Sequence, residues 1–516
     1  MELPLSQITT SNVVTTIATI ILGRIIWQLI QNLLYSSIPS SVPGPLIARL
    51  TTKWITIIEL SGSRGRTVDA LHKKYGPVVR LSPNELSFST LPCIKTIYGN
   101  GSSCIKSSAY DKFGRKGMFQ MADPEQHRLR QKRIAHIFAP AVLQQMEILI
   151  QNCVGRLVGQ QLRKRSGTEV DMLHWARMTV LDVGGELMLG KSFGALDDDG
   201  DRNDAPTYVH HLDNAYIAWS LYGLSPTLFR LFEYLPIKSL QEFLAAGDYV
   251  YKYGDDAMKQ YIHRHGRKSA QKSLLTKMLA GDPVSGIEPL ADAEISTEVS
   301  NLIFAATDTT GNTITYALYE LACHTEWQTR LREEILTRRG PGTSSEDYLS
   351  FKSLSTLPIL NGVFMETLRL HPAAPSALPR VTTGTGCQIG ELHIPGGTLV
   401  SMQALTLQRD PNYFPEPDTF KPDRWISDDG KEIEYGSQEQ REMMIVWGKG
   451  TRTCLGQHMA TMESKIALAR IVAQFEVRLP AGNKTHKEME MTDHFTLIPK
   501  GKRCTLVVRE VEVPTE

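Results

Sequence analysis

Apolar positions are spread unevenly along the chain, and their spacing divides it. From Val13 to Tyr35 the sequence reads VVTTIATIILGRIIWQLIQNLLY, long enough to cross a bilayer as one helix. Arg24, Gln28, Gln31 and Asn32 interrupt it, and Arg24 would have to snorkel or find a polar partner. Ser37 to Pro45, SIPSSVPGP, holds three prolines and a glycine and predicts a stiff, non-helical hinge. Tyr75 to Phe88, YGPVVRLSPNELSF, is rich in β-branched residues with glycine and proline at its breaks, and predicts two short strands. Helical patterns then dominate from about Asp123 to Arg339. The longest opens at Asp292 and runs to about Cys323, with Asp292 and Glu294 at the positive end of its dipole. Two polar runs, Leu196 to Asp204 and Gly340 to Asp347, predict loops. Pro375 to Pro422, with its prolines, glycines and β-branched residues, predicts hairpins and irregular coil. The expected architecture is mainly α with a small β part, in one large body without internal repeats.

Composition narrows the function classes. The 516 residues carry a formal net charge of +1, so nothing draws the chain to nucleic acid or another polyanion. The seven cysteines, Cys93, Cys104, Cys153, Cys323, Cys387, Cys454 and Cys504, include no C-x-x-C pair, which argues against a zinc ribbon or a thioredoxin-like site. An odd, scattered set reads as reduced thiols of a cytosolic compartment, where the sequons at Asn100 and Asn483 go unused. Basic residues follow the apolar stretch (Arg49, Lys53, Arg64, Arg66, Lys73, Lys74) and none precede it, which places the bulk of the chain in the cytosol. No small-residue cleavage site follows the stretch, which argues for an anchor over a removed signal peptide.

The stretch richest in chemistry is WGKGTRTCLG, Trp447 to Gly456. As a dinucleotide loop it fails at Thr453, where a glycine is needed, and the Walker spacing is not met. As a nucleophilic thiol it lacks partners: His458 lies one turn on, without a protease signature. As a haem ligand it is chemically coherent. Backbone N–H groups of a bent loop and of the next helix start can hold a thiolate. Gly448 and Gly450 permit the positive φ of such a bend. Arg452 is placed for charge-assisted bonds to a propionate, and Gly456 lets the next helix approach the macrocycle. A buried cysteine at a glycine turn is the plain structural alternative.

WGKGTRTCLG also resembles the haem-binding loop of the cytochrome P450 family, written F-x-x-G-x-R-x-C-x-G. Gly450, Arg452, Cys454 and Gly456 match, and Trp447 stands at the phenylalanine. The resemblance makes Cys454 the axial thiolate, which pushes electron density onto iron and favours O–O cleavage. Three other stretches agree. ETLR, Glu366 to Arg369, matches E-x-x-R, with Arg424 of FKPDRW as third member; alone, such a pair is most often a surface ion pair. AATDTT, Ala305 to Thr310, resembles A/G-G-x-D/E-T-T/S. Ala305 and Ala306 would let the long helix pass close over the distal face, Ala306 replacing the usual glycine. Thr309 and Asp308 resemble the alcohol–acid pair that delivers protons to dioxygen, and a polar helix face is the plainer reading. DPEQHRLRQKRIAHIF, from Asp123, resembles the W-x-x-x-R helix, with His127 at the tryptophan and Gln131 at the arginine. Arg130 or Lys132 is the candidate to hold a propionate in place of that arginine, and Arg380 in LPRV is a further propionate candidate. After Cys454 the pattern continues through Met459, in place of leucine, to Glu463.

The resemblance covers roughly residues 40 to 510. It implies a single-pass anchor over 1–35, a proline-rich hinge over 36–45 and a haem-thiolate catalytic domain over 46–516, built as one large helical domain around buried haem b. It implies a monooxygenase that inserts one atom of O2 into a small apolar substrate. Electrons would come from NADPH through a separate cytochrome reductase, since the chain holds no flavin or nicotinamide motif. That reductase would dock on the cysteine side, where Lys449 and Arg452 could meet an acidic partner. By family position the substrate pocket draws on residues 101–121, 213–243, 301–306, 376–378 and 495–497. The style is that of fungal endoplasmic-reticulum members acting on terpenoid, polyketide or alkaloid natural products. Oxidative coupling, desaturation or ring closure at the same centre is the alternative; a non-catalytic haem binder is disfavoured by the acid–alcohol pair, and a thiol hydrolase by the missing triad.

Overall fold

The longest helix runs over Asp292–Cys323, at the boundaries its pattern predicts, and the rest of the body is arranged around it. The computed structural model describes residues 10–197, 205–281, 286, 288–339, 349–482 and 484–511. Most of the two polar runs predicted as loops, and Asn483 of the second sequon, lie outside the described residues. The helices that position the site are α1 (Thr10–Leu34), α2 (Lys53–Leu60), α3 (Pro124–Ile134), α4 (Met172–Leu189), α5 (Ala205–Leu224), α6 (Pro226–Glu233), α7 (Ala246–His265), α8 (Asp292–Cys323), α9 (Pro358–Leu370) and α10 (Gln457–Gln474).

Helix α8 starts where Glu294 reaches back to accept from the N–H of Ala291 at 3.0 Å. It is apolar enough to be buried on several sides at once and packs against α4, α7 and α10. Its threonines do not leave hydroxyls orphaned in that core. Thr307, Thr309, Thr313 and Thr315 each donate to the carbonyl four residues back, at 2.7–2.9 Å.

The β part is small and split. Strands β1 (Val78–Ser82) and β2 (Glu85–Phe88) are the two predicted short strands, and they pair antiparallel. The remaining strands are β3 (Cys104–Lys106), β4 (Thr168–Asp171), β5 (Arg380–Thr382), β6 (Cys387–Ile389), β7 (Leu392–Ile394), β8 (Leu399–Ser401), β9 (Phe475–Arg478), β10 (Met491–His494), β11 (Thr496–Pro499) and β12 (Thr505–Glu510). One sheet has the order β1-β2-β8-β5-β3 and another β4-β12-β9; β6–β7 and β10–β11 are separate hairpins. Strand β4 interrupts the stretch predicted as helical. It is four residues long and is held by β12, with Thr168 opposite Val508, a partner that no local pattern announces.

One further expectation changes. The proline-rich segment is non-helical as predicted, but it is no free hinge. Ile38 and Val42 are buried, Arg80 donates to the carbonyls of Ile38 and Pro39 at 2.6 and 2.9 Å, and the Arg80 N–H donates to Pro43. The E-x-x-R pair, which alone would most often lie on a surface, is buried: Glu366 and Arg369 are both 0% exposed.

Candidate active site

The cysteine loop is shaped by glycine at two positions. Gly448 and Gly450 have φ of 68° and 64°, and a Cβ on Gly450 would sit 2.1 Å from the Tyr98 carbonyl. The bend closes with the Cys454 N–H donating to the Trp447 carbonyl at 2.8 Å. Trp447 packs its ring into the apolar cluster beneath the loop. Gly456 has an ordinary φ of −79°, and a Cβ there would meet only Cys454 Sγ at 3.8 Å, so its smallness leaves space rather than permitting a bend. Burial pushes the Cys454 thiol up, and the N–H groups of Gly456 and Gln457 at the start of α10 pull it part of the way back. The loop alone thus favours a neutral thiol; a bound cation would complete the shift to thiolate. The Cys454 side chain is nonetheless open on one face.

Beside this loop four basic side chains converge. Burial, then Arg380, pushes Arg452 down to about 10. Burial, then Arg380 and Arg452, holds Lys106 well below its ordinary value. Burial, then Arg452 and Lys106, pushes His127 down to about 4. Their hydrogen-bond partners are neutral. Arg452 Nη2 donates to the Ala122 carbonyl at 3.3 Å and its buried Nη1 has no partner. Arg380 donates to the carbonyls of Leu378 and Pro379. Lys106 donates to the Phe119 carbonyl and lies 3.8 Å from the Tyr110 ring centroid. Lys106 and Arg380 sit opposite each other on β3 and β5. Such a cluster holds its full positive charge only with anionic charge among it.

Arg130 does not supply the charge-assisted bond that Gln131 cannot make. It is buried in ion pairs with Glu298, at 2.8 Å, and Glu294, on the first turns of α8. Lys132 is exposed. The third cation of the cluster is Lys106, which the sequence reading missed; only its backbone pairing with Arg380 reveals it.

On α8, Ala305 is exposed and Ala306 and Thr309 are partly so, although the helix is buried before and after them. An open face in the middle of a core helix borders an internal space. Phe304 continues this face into an aromatic cluster with Phe113, Phe119, Trp219 and Phe495, whose neighbouring ring centroids lie 4.8–6.2 Å apart. These rings come from four of the five segments expected to line a pocket. Phe495, at the β10–β11 turn, holds φ at 89°, a strained value for a non-glycine residue that its ring packing secures.

Asp308 is turned away from Thr309. It is fully buried against Arg177 of α4 at 2.9 Å, and the same guanidinium bonds Asp213 of α5 at 3.0 Å. Burial, opposed by Arg177 and reinforced by Asp213, raises Asp308 to about 7. Thr309 Oγ1 donates to the Ala305 carbonyl. The structure therefore places acid and alcohol on neighbouring residues without joining them, and it adds Arg177, which the sequence reading did not single out. Glu463, on α10, is buried without a hydrogen-bond partner among the described residues, and burial raises it to about 8.

Behind the loop, Arg369 uses all its donors. Nε and Nη2 meet Glu366 at 2.8 Å each, and the rest go to the carbonyls of Gln408, Pro417 and Thr419. Glu366 also accepts from Arg424 Nε at 3.2 Å, Trp425 Nε1 at 2.9 Å and the Lys421 N–H at 2.9 Å. The network fixes the segment 408–425 that leads into the cysteine loop.

A glycine-bent loop presenting a thiol, buried basic side chains with no ion-pair partner among the described residues, and a core helix with an open alanine face are together what a haem-thiolate site needs. The chain belongs to the cytochrome P450 family, whose model matches residues 43–506. Curated relatives include a cytochrome P450 monooxygenase, tazI, of Aspergillus terreus, 29% identical over 90% of this chain and 93% of the relative. Another, notG' of Aspergillus versicolor, is 29% identical over 88% of this chain and 80% of its own. The tryprostatin B 6-hydroxylase of Aspergillus fumigatus is 28% identical over 88% of this chain and 78% of its own. The protein is thus an oxidoreductase of the monooxygenase type, with a haem-thiolate iron cofactor, O2, a redox partner and a small substrate.

Proposed function

We propose that Cys454 ligates the iron of haem b and that the enzyme hydroxylates or otherwise oxidises a small apolar natural product in a fungal secondary-metabolite pathway. The observation that carries this reading is the cysteine loop set beside buried basic groups that form no ion pair with a carboxylate among the described residues. Bound there, the haem supplies dioxygen activation. The protein's own residues do the rest. Arg452, Arg380, His127 and Lys106 would hold the propionates. The rings of Phe113, Phe119, Trp219, Phe304 and Phe495 would exclude water and seat an apolar substrate. Thr309, on the open face of α8, would hold a proton donor at the reacting oxygen, with Asp308 as the acid held in reserve by Arg177. For Thr309→Ala the expected result is a roughly 10-fold or larger fall in product formed per NADPH consumed; an unchanged ratio overturns the proton-delivery role.

A second reading, coupling, desaturation or ring closure without net oxygen insertion, is favoured by one observation: Asp308 is engaged by Arg177 and not by Thr309. Product masses decide between the two. Gain of one oxygen atom supports the first reading, and loss of two hydrogens supports the second.

Lys106→Met is expected to speed haem loss to a haem-scavenging apoprotein by roughly 10-fold, the order set by one charge-assisted hydrogen bond. An unchanged loss rate removes Lys106 from the propionate site.

Helix α1 would anchor the enzyme in the endoplasmic reticulum membrane, since Thr15–Leu34 is apolar with none of it buried. Leu46, Leu231, Tyr234 and Ile237 are further exposed apolar residues that could meet the same membrane, and Lys53 of α2 bonds the Leu224 carbonyl at the end of α5. Removing residues 1–35 should transfer the protein from the membrane pellet to the supernatant; a full-length protein that is already soluble overturns the anchor. An NADPH–cytochrome reductase would dock on the cysteine side. Lys449 donates there to the Arg441 carbonyl at 2.9 Å, and Lys132 and Arg133 of α3 are exposed cations that could meet an acidic partner.

A further inference from the structure

Cys104 and Cys387 lie 283 residues apart in sequence, and their sulfurs are 3.8 Å apart. Backbone geometry brings them together. Cys104 opens β3, opposite Thr382 at the end of β5. The chain then turns sharply, with Gly384 and Gly386 at φ of 56° and 101°, and the Gly386 N–H donates to the Thr383 carbonyl at 3.0 Å. A Cβ on Gly386 would sit 2.0 Å from the Ile394 carbonyl, so the turn is closed to other residues. Cys387 follows at once as the first residue of β6, beside Cys104. Cys104 is buried in an apolar cluster with Ile94, Ile97 and Ile389, while Cys387 is partly exposed. The contact bridges two sheets that share no hydrogen-bonded strand pair.

We propose that Cys104 and Cys387 are a redox dithiol that a hydroperoxide converts to an intramolecular disulfide. Cys387, the accessible member, attacks the O–O bond and becomes a sulfenic acid; its proton leaves with the departing oxygen as water. Cys104 then attacks the sulfenic sulfur, forming the S–S bond and expelling the hydroxyl, which takes the Cys104 proton and leaves as a second water. Two thiols and one hydrogen peroxide give one disulfide and two waters, and the peroxide oxygens accept both electrons. Forming the bond brings the sulfurs from contact to about 2 Å. Burial, then Cys387, pushes the Cys104 thiol up to about 12, which disfavours its direct attack on peroxide and leaves the first step to the accessible Cys387. Reduction by a dithiol restores the starting pair. The link would join the outer end of the β3–β5 ladder, whose inner end carries Lys106 and Arg380, to the β6–β7 hairpin.

The test uses the full-length haem-loaded protein, treated with hydrogen peroxide, alkylated with iodoacetamide and digested with trypsin without reductant. Cys104 falls alone in residues 96–106 and Cys387 alone in residues 381–409. The expected result is a linked pair of these peptides, two hydrogens lighter than their sum, that separates on treatment with dithiothreitol. In Cys104→Ser the expected result is a Cys387 sulfenic acid that dimedone traps. Recovery of both cysteines fully alkylated in the wild type overturns the proposal. So does Cys387 taken to the sulfinic acid while Cys104 stays free.

Discussion

Cys454→Ser is expected to abolish the strongly red-shifted carbon monoxide band of the reduced protein and to reduce product formation to background. The hydroxyl that replaces the thiol is harder and far less acidic, so neither the Gly456 and Gln457 N–H groups nor a bound cation would hold it as an equivalent anionic donor. The glycine bend does not depend on the sulfur: the Cys454 N–H to Trp447 carbonyl bond is main chain to main chain. The variant should therefore fold, and far-ultraviolet circular dichroism should be unchanged. A red-shifted band that survives in the variant would move the ligand to another residue, and the exposed face of the loop offers no second thiol among the described residues.

The other large effect is expected at the Glu366 network. Removing the carboxylate in Glu366→Ala leaves Arg369 fully buried with only carbonyl partners, and strands the Trp425 indole N–H as well. Breaking a buried pair from one side costs about 3–5 kcal/mol. Against a native stability of about 5–15 kcal/mol that is roughly a fifth of the total or more. Urea denaturation should show a midpoint lowered in that proportion, and the haem-loaded fraction after purification should fall with it. Arg424→Ala removes a longer bond, 3.2 Å, and leaves the Glu366–Arg369 fork in place, so a smaller loss is expected. Equal losses in the two variants would mean that the fork is not the strongest part of the network.

Much of this was legible in the sequence because it is local. Helix α8 carries its own start signal in Glu294 and a continuous apolar pattern, so both of its ends were readable. The hairpin of β1 and β2 is announced by β-branched residues around a proline turn. The cysteine loop is readable because its glycines, arginine and thiol lie within ten consecutive residues. Strand β4 was not readable: it is short, and its pairing with β12 is the whole reason it is extended. The same applies to Lys106. Nothing in CIKSSAY marks a buried ammonium; β3 has first to pair with β5 and set it opposite Arg380.

The sequence by itself determined the family, the helical class and the order of the chemical parts, because each is written in residues three or four apart on one helix or adjacent in one turn. The tertiary structure decided the rest. It buried the Glu366–Arg369 pair, gave Arg130 to Glu298, turned Asp308 to Arg177 and brought Cys104 against Cys387. In each of these the partner is distant in the chain or the environment is set by packing. A side chain's charge state and role depend on which opposite charge and how much water the fold leaves beside it, and neither is a local property of sequence.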